Sequence, residues 1–68
     1  MVDTLALRGC IVAKGETQKS MAHVLNISET TFSNKMKRKM FNSDEMYTMI
    51  KHLGIEDPAR IFFADQVK

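Results

Sequence analysis

The chain has 68 residues and a mass of 7.8 kDa, room for one small domain with a modest core and none for a second. A hydrophobic fraction of 44% and a charged fraction of 26% are those of an ordinary folded domain, and no apolar run nears the roughly 18–20 residues of a membrane span. The net charge of +2 hides an asymmetry: residues 1–41 hold seven Lys or Arg against three acids, whereas residues 42–68 hold three against five. Four of the cations, Lys35, Lys37, Arg38 and Lys39, fall within five residues.

A single cysteine, Cys10, excludes an internal disulfide framework and fits a reducing compartment. The N-terminus lacks the basic-then-apolar pattern of a signal peptide, so a cytoplasmic protein is expected. A helical domain of this size has little interior to hollow out, which favours binding over catalysis.

In chain order, apolar residues at three- and four-residue spacing (Leu7, Cys10, Ile11) predict a first helix over 3–14, stopped by Gly15. Gly9 weakens that helix by up to about 1 kcal/mol relative to alanine, which suggests a close contact at that point. Thr17 is the expected cap of a second helix whose apolar face holds Met21, Ala22, Val24 and Leu25. Asn26-Ile27-Ser28 interrupts it; Asn tolerates a left-handed backbone, and Ser28 can cap a third helix. From Glu29 onward only Phe32 and Met36 are large and apolar, four apart on an otherwise polar helix.

The fourth helix has the clearest start, with Asn42 and Glu45 in the spacing of a capping box and Phe41 and Met46 in that of a hydrophobic staple. Met46, Met49, Ile50 and Leu53 form its buried stripe, and Gly54 ends it. Asp57-Pro58 reads as cap and first residue of a short fifth helix carrying Ile61, Phe62 and Phe63. No segment alternates as a strand does. The fold class expected is all-α, five short helices. Most of the six methionines fall on core stripes, where flexible side chains fill space.

Function is most legible from Gln18 to Lys37, QKSMAHVLNISETTFSNKMK: a helix, a short break, and a second helix with too few apolar residues to be buried all round. This is the pattern of a helix-turn-helix, in which the second helix is held by its back and presents its outer side chains to a DNA groove about 12 Å wide. Together with LRGCIVAKGETQ (7–18) and FNSDEMYTMIKHLGI (41–55), the chain resembles the small phage and prophage repressors of the Cro and lambda-repressor type along nearly its whole length.

That resemblance implies a lambda-repressor-like helix-turn-helix domain over 1–68, with its motif at 18–37. It implies a phosphate contact for Gln18 and base reading by Glu29, Thr30 and Asn34. The chemistry of the bases is compatible: Asn pairs with adenine, Thr touches several edges or the thymine methyl, and Glu accepts from cytosine N4. Ser28, Ser33, Lys35, Lys37, Arg38 and Lys39 are expected to hold phosphates, which set register without reading sequence. Three positions depart from the family: Glu29 stands where an uncharged residue is common, Arg38 where the loop after the recognition helix usually has glycine, and Asn26 where the turn often has glycine.

The expected partner is double-stranded operator DNA, bound as a homodimer, with no membrane, small-molecule ligand or cofactor. The alternative is an interaction module of the same fold, an antirepressor or an adaptor for another regulator. An enzyme is not expected, since Cys10 has no evident activating base; nor is a metal site, since Cys10, His23 and His52 lack ligand spacing.

Overall fold

The computed structural model describes residues 1–66; Lys68, counted among the cations above, lies outside the described residues. It contains α1 (Thr4–Ala13), α2 (Gln18–Val24), α3 (Glu29–Arg38), α4 (Ser43–Leu53) and α5 (Pro58–Phe62), with a single 3₁₀ turn, Ala64–Gln66, after them. The protein is all-helical over the described residues, with five short helices.

The first four helix starts are each set by a local hydrogen bond. Asp3 Oδ1 accepts from Ala6 N at 3.1 Å, Thr17 Oγ1 from Ser20 N at 3.0 Å, Ser28 Oγ from Thr31 N at 3.0 Å and Asn42 Oδ1 from Glu45 N at 2.8 Å. Each bond satisfies a donor the helix itself leaves unpaired. Two starts are reciprocal boxes. The Asn42–Glu45 box is legible from residue type and spacing; at Thr17 the partner is Ser20, whose short hydroxyl accepts from Thr17 N at 2.8 Å. Asp57 is a correction: it makes no capping bond, and its carboxylate pairs with Arg60 Nε at 2.8 Å instead.

Four helix ends are alike. Gly15, Asn26, Lys39 and Gly54 stand at the ends of α1 to α4 with φ of 71°, 59°, 58° and 62°. Beyond each, a backbone N–H reaches back to a carbonyl five residues earlier: Glu16 to Ile11 at 2.9 Å, Ile27 to Ala22 at 3.0 Å, Met40 to Lys35 at 3.1 Å and Ile55 to Ile50 at 3.0 Å. The same left-handed closure is thus made by two glycines, one asparagine and one lysine. The resemblance aligns the family's loop glycine with Arg38, but Arg38 is still helical; the left-handed residue is Lys39.

The core gathers Leu7 and Ile11 of α1, Met21 and Ala22 of α2, Phe32 and Met36 of α3, and Met49 and Leu53 of α4, closed by Ile61 and Phe62. Phe32 and Phe41 meet with ring centroids 5.6 Å apart at 53°, a tilted aromatic contact. Val2 is buried, and the segment before α1 is tied down by Val2 N donating to Lys39 O (3.1 Å) and Asp3 N to Ile61 O (2.6 Å). The Phe62-Phe63 pair divides: Phe62 is 2% exposed and belongs to the core, while Phe63 is 48% exposed. At Gly9 nothing beyond its chain neighbours and the local backbone of its own helix lies within 4 Å of where a Cβ would stand, so the expected close contact is absent among the described residues.

Candidate nucleic-acid interface

The α2–α3 unit is two short helices joined by four residues, and these two helices pack against each other more extensively than any other pair. The turn works because Asn26 takes the left-handed conformation, letting Ile27 N close on Ala22 O while Ser28 opens α3. Ile27 is half-buried and packs against the core.

α3 is held from one side only. Phe32 and Met36 are buried; Thr31, Ser33 and Lys35 are half-buried on the flanks; Glu29, Thr30, Asn34, Lys37 and Arg38 are exposed. Thr30, Asn34 and Lys37 succeed one another at four- and three-residue steps, so they share one stripe on the outer side. Glu29, Thr30, Ser33, Asn34 and Lys37 line one shallow concavity there. The three residues expected to read bases are therefore on one surface with Ser33 and Lys37.

The expected phosphate contacts separate into groups. Lys37, Arg38 and Lys39 are exposed at the end of α3, and among the described residues none makes an ion pair. Their charge also suits the negative end of the helix dipole. Gln18 is half-buried as the first residue of α2 and lies outside the concavity. Ser28 is engaged locally: its oxygen accepts from Thr31 N and its proton goes to Thr31 Oγ1 at 2.8 Å, so its observed role is that of a helix cap.

Lys35 stands apart from the other three cations. Its Nζ lies 3.0 Å from Glu45 Oε1, and it is turned to α4 rather than outward with its neighbours. Glu45 is buried (8% exposed) and also accepts from Asn42 N at 2.9 Å, so a charged pair is what makes its burial tolerable. Periodicity within α3 signals that Lys35 lies off the outer stripe; its partner ten residues on carries no local signal.

A second ionic link is likewise invisible in the sequence pattern. Glu16, in the loop before α2, takes a hydrogen bond from Ser20 Oγ at 2.6 Å and lies 3.2 Å from His52 Nε2 in the last turn of α4. The Ser20 hydroxyl foremost, and His52 after it, hold the Glu16 carboxyl below its ordinary value of 4.5. The link fastens the start of α2, next to Gln18, to the far end of α4.

Among the described residues, no helix is long and apolar enough to cross a membrane, and no three His, Cys, Asp or Glu side chains converge as a metal set. Comparison with models of known protein families, with curated proteins and with solved structures gives no match to this chain.

Proposed function

We propose that this protein is a sequence-specific, double-stranded DNA-binding transcriptional regulator of the phage Cro and lambda-repressor-like type, acting by occlusion of an operator. The α2–turn–α3 unit is its helix-turn-helix and α3 its recognition helix. The observation that carries this reading is the one-sided attachment of α3. Two buried side chains hold it, and its outer stripe of Thr30, Asn34 and Lys37 ends in three cations that are unpaired among the described residues. A polar helix with an open face and a basic end has the shape and charge a major groove and its flanking phosphates require.

In this assignment Thr30 and Asn34 meet base edges, and Glu29 accepts from an exocyclic amino group such as cytosine N4. Lys37, Arg38, Lys39 and Gln18 hold phosphates, with Ser33 beside them at the flank. One recognition helix reads few base pairs, so two copies on half-sites about 34–36 Å apart are expected to act together. The acidic second half of the chain belongs away from the DNA. Of its aromatic end, only Phe63 is available to a partner copy, because Phe62 is enclosed.

One observation favours the other reading, a protein-interaction module. Leu5 and Val12 are 79% and 73% exposed on α1, on either side of the open Gly9, an apolar stripe that DNA would not cover.

Selection of duplexes from a random library at about physiological salt decides between the two. Enrichment of a palindrome with half-sites one helical turn apart is expected. Replacing Lys37, Arg38 and Lys39 together by alanine then weakens binding to every sequence and, with both copies altered, flattens the log–log salt slope of the two-copy complex by about 5.4. Thr30→Ala or Asn34→Ala instead changes which sequence is preferred. Failure to enrich any duplex puts the interaction module first.

A further inference from the structure

Within the four-cation cluster, Lys35 alone faces inward. On a helix advancing roughly 100° per residue, it stands roughly 100–160° round the axis from Thr30, Asn34 and Lys37. Its partner is not a mobile surface acid. Glu45 is locked to the start of α4 by two reciprocal bonds, Asn42 N to Glu45 Oε1 (2.9 Å) and Glu45 N to Asn42 Oδ1 (2.8 Å). Lys35 Nζ therefore grips a fixed point of a neighbouring helix.

We infer that Lys35 and Glu45 are positioning residues for base reading: their contact sets the rotation of α3 about its own axis, and Lys35 itself holds no phosphate. This rests on the DNA-binding reading above. The buried attachments of α3, Phe32 and Met36, are apolar, and apolar burial is non-directional. A charge-assisted hydrogen bond is directional and short. The difference matters at the outer surface: a rotation of about 20° moves an atom about 6 Å from the axis by about 2 Å. That exceeds the few tenths of an ångström a hydrogen bond to a base edge tolerates. Phosphate contacts by the exposed side chains of Lys37, Arg38 and Lys39 tolerate such a shift, whereas Lys35 is only 28% exposed and held by a fixed acceptor, so the pair acts on sequence discrimination and leaves general affinity alone.

The test uses the full chain, the duplex enriched by selection, and a scrambled duplex of equal length, titrated across a range of salt. Lys35→Met and the double variant K35M/E45Q are compared with Lys37→Ala. The double variant keeps an acceptor for Asn42 N and leaves no unpaired buried charge, so it melts close to the unaltered protein. Expected for both Lys35 variants is an affinity for the selected duplex about tenfold lower, with the scrambled duplex and the salt slope unchanged. Lys37→Ala lowers affinity for both duplexes and flattens the slope on the two-copy complex by about 1.8.

If Lys35→Met behaves as Lys37→Ala does, Lys35 is a phosphate contact and the inference is overturned. Recovery of unaltered discrimination in the double variant overturns it too, by showing that only the stray charge mattered. Failure of the DNA-binding reading is seen separately, in the unaltered protein, as equal affinity for both duplexes; the inference then falls with it.

Discussion

α1 and α4 close on glycine, whereas α2 and α3 reach the same left-handed backbone with Asn26 and Lys39. The geometry is closely shared: Lys39 has φ 58° and ψ 39°, Gly54 φ 62° and ψ 42°. For a residue with a Cβ this conformation costs roughly 1–2 kcal/mol, a cost Asn reduces through local hydrogen bonding and Lys does not. The unit assigned to DNA is therefore the one that keeps strain at its ends. What Lys39 adds in exchange is a cation beyond the last turn of α3, and in the proposed complex a phosphate contact. The start of the helices differs as well. α4 opens with a reciprocal box and buries three residues, α3 with a single serine and two.

The second part of that contrast is open to the harshest test. Phe32 is fully buried and in contact with Phe41, so Phe32→Ala leaves a cavity and loses about 3–5 kcal/mol in urea unfolding. Because α3 opens with a single serine bond and buries two residues, against the reciprocal box and three buried residues of α4, its amides are expected to lose hydrogen-exchange protection before those of α4. Simultaneous loss across both helices would mean that α3 is not the weaker of the two.

The helix ends come next, with opposite signs. Gly54→Ala costs about 1–2 kcal/mol for backbone reasons alone, since its Cβ would come no closer than 3.6 Å to the flexible Lys14 side chain. Lys39→Gly gains up to about 1 kcal/mol, measured as a raised denaturant midpoint. The same change is expected to weaken DNA binding and flatten the salt slope of the two-copy complex by about 1.8. A Lys39→Gly protein that is no more stable than the original would refute the strain argument.

A smaller effect lies away from both ends, at the Glu16–Ser20–His52 link. The folded protein holds the Glu16 carboxyl below its ordinary value of 4.5, so its contribution to stability is fully present above about pH 4.5. It is lost as the pH falls through the lowered value. Thermal midpoints of the original and Glu16→Gln proteins should therefore differ by a small amount just above that pH and converge as the pH falls below it. A gap that widens on acidification would contradict the assigned direction.

Much of the fold can be read from short spans of the chain. Helix starts at Thr17, Ser28 and Asn42, and the left-handed Asn26, depend on contacts within a few residues, so residue type and spacing suffice. The buried faces come from periodicity in the same way, Phe32 and Met36 above all. The ends of elements are less legible: the left-handed residue after α3 is Lys39 instead of Arg38, and Asp57 turns to Arg60 instead of capping α5. A one-residue shift in a helix end changes which backbone bond closes it, and local composition does not settle that balance.

The candidate site shows the same division. That Thr30, Asn34 and Lys37 share an outward stripe is implicit in their spacing. That Lys35, in the middle of the basic cluster, turns to Glu45 is not, because nothing near Lys35 in the chain names its partner. Its direction is set by where α4 lies. Glu16 and His52, 36 residues apart, meet for the same reason. Five helices, most of their caps, the side by which α3 is held and the sign of charge at its end are properties of the chain alone, since each depends on interactions within a turn or two. Which cations stay unpaired among the described residues, which of two adjacent phenylalanines is enclosed, and that Gly9 faces open space are settled in three dimensions, because each depends on how distant helices come together.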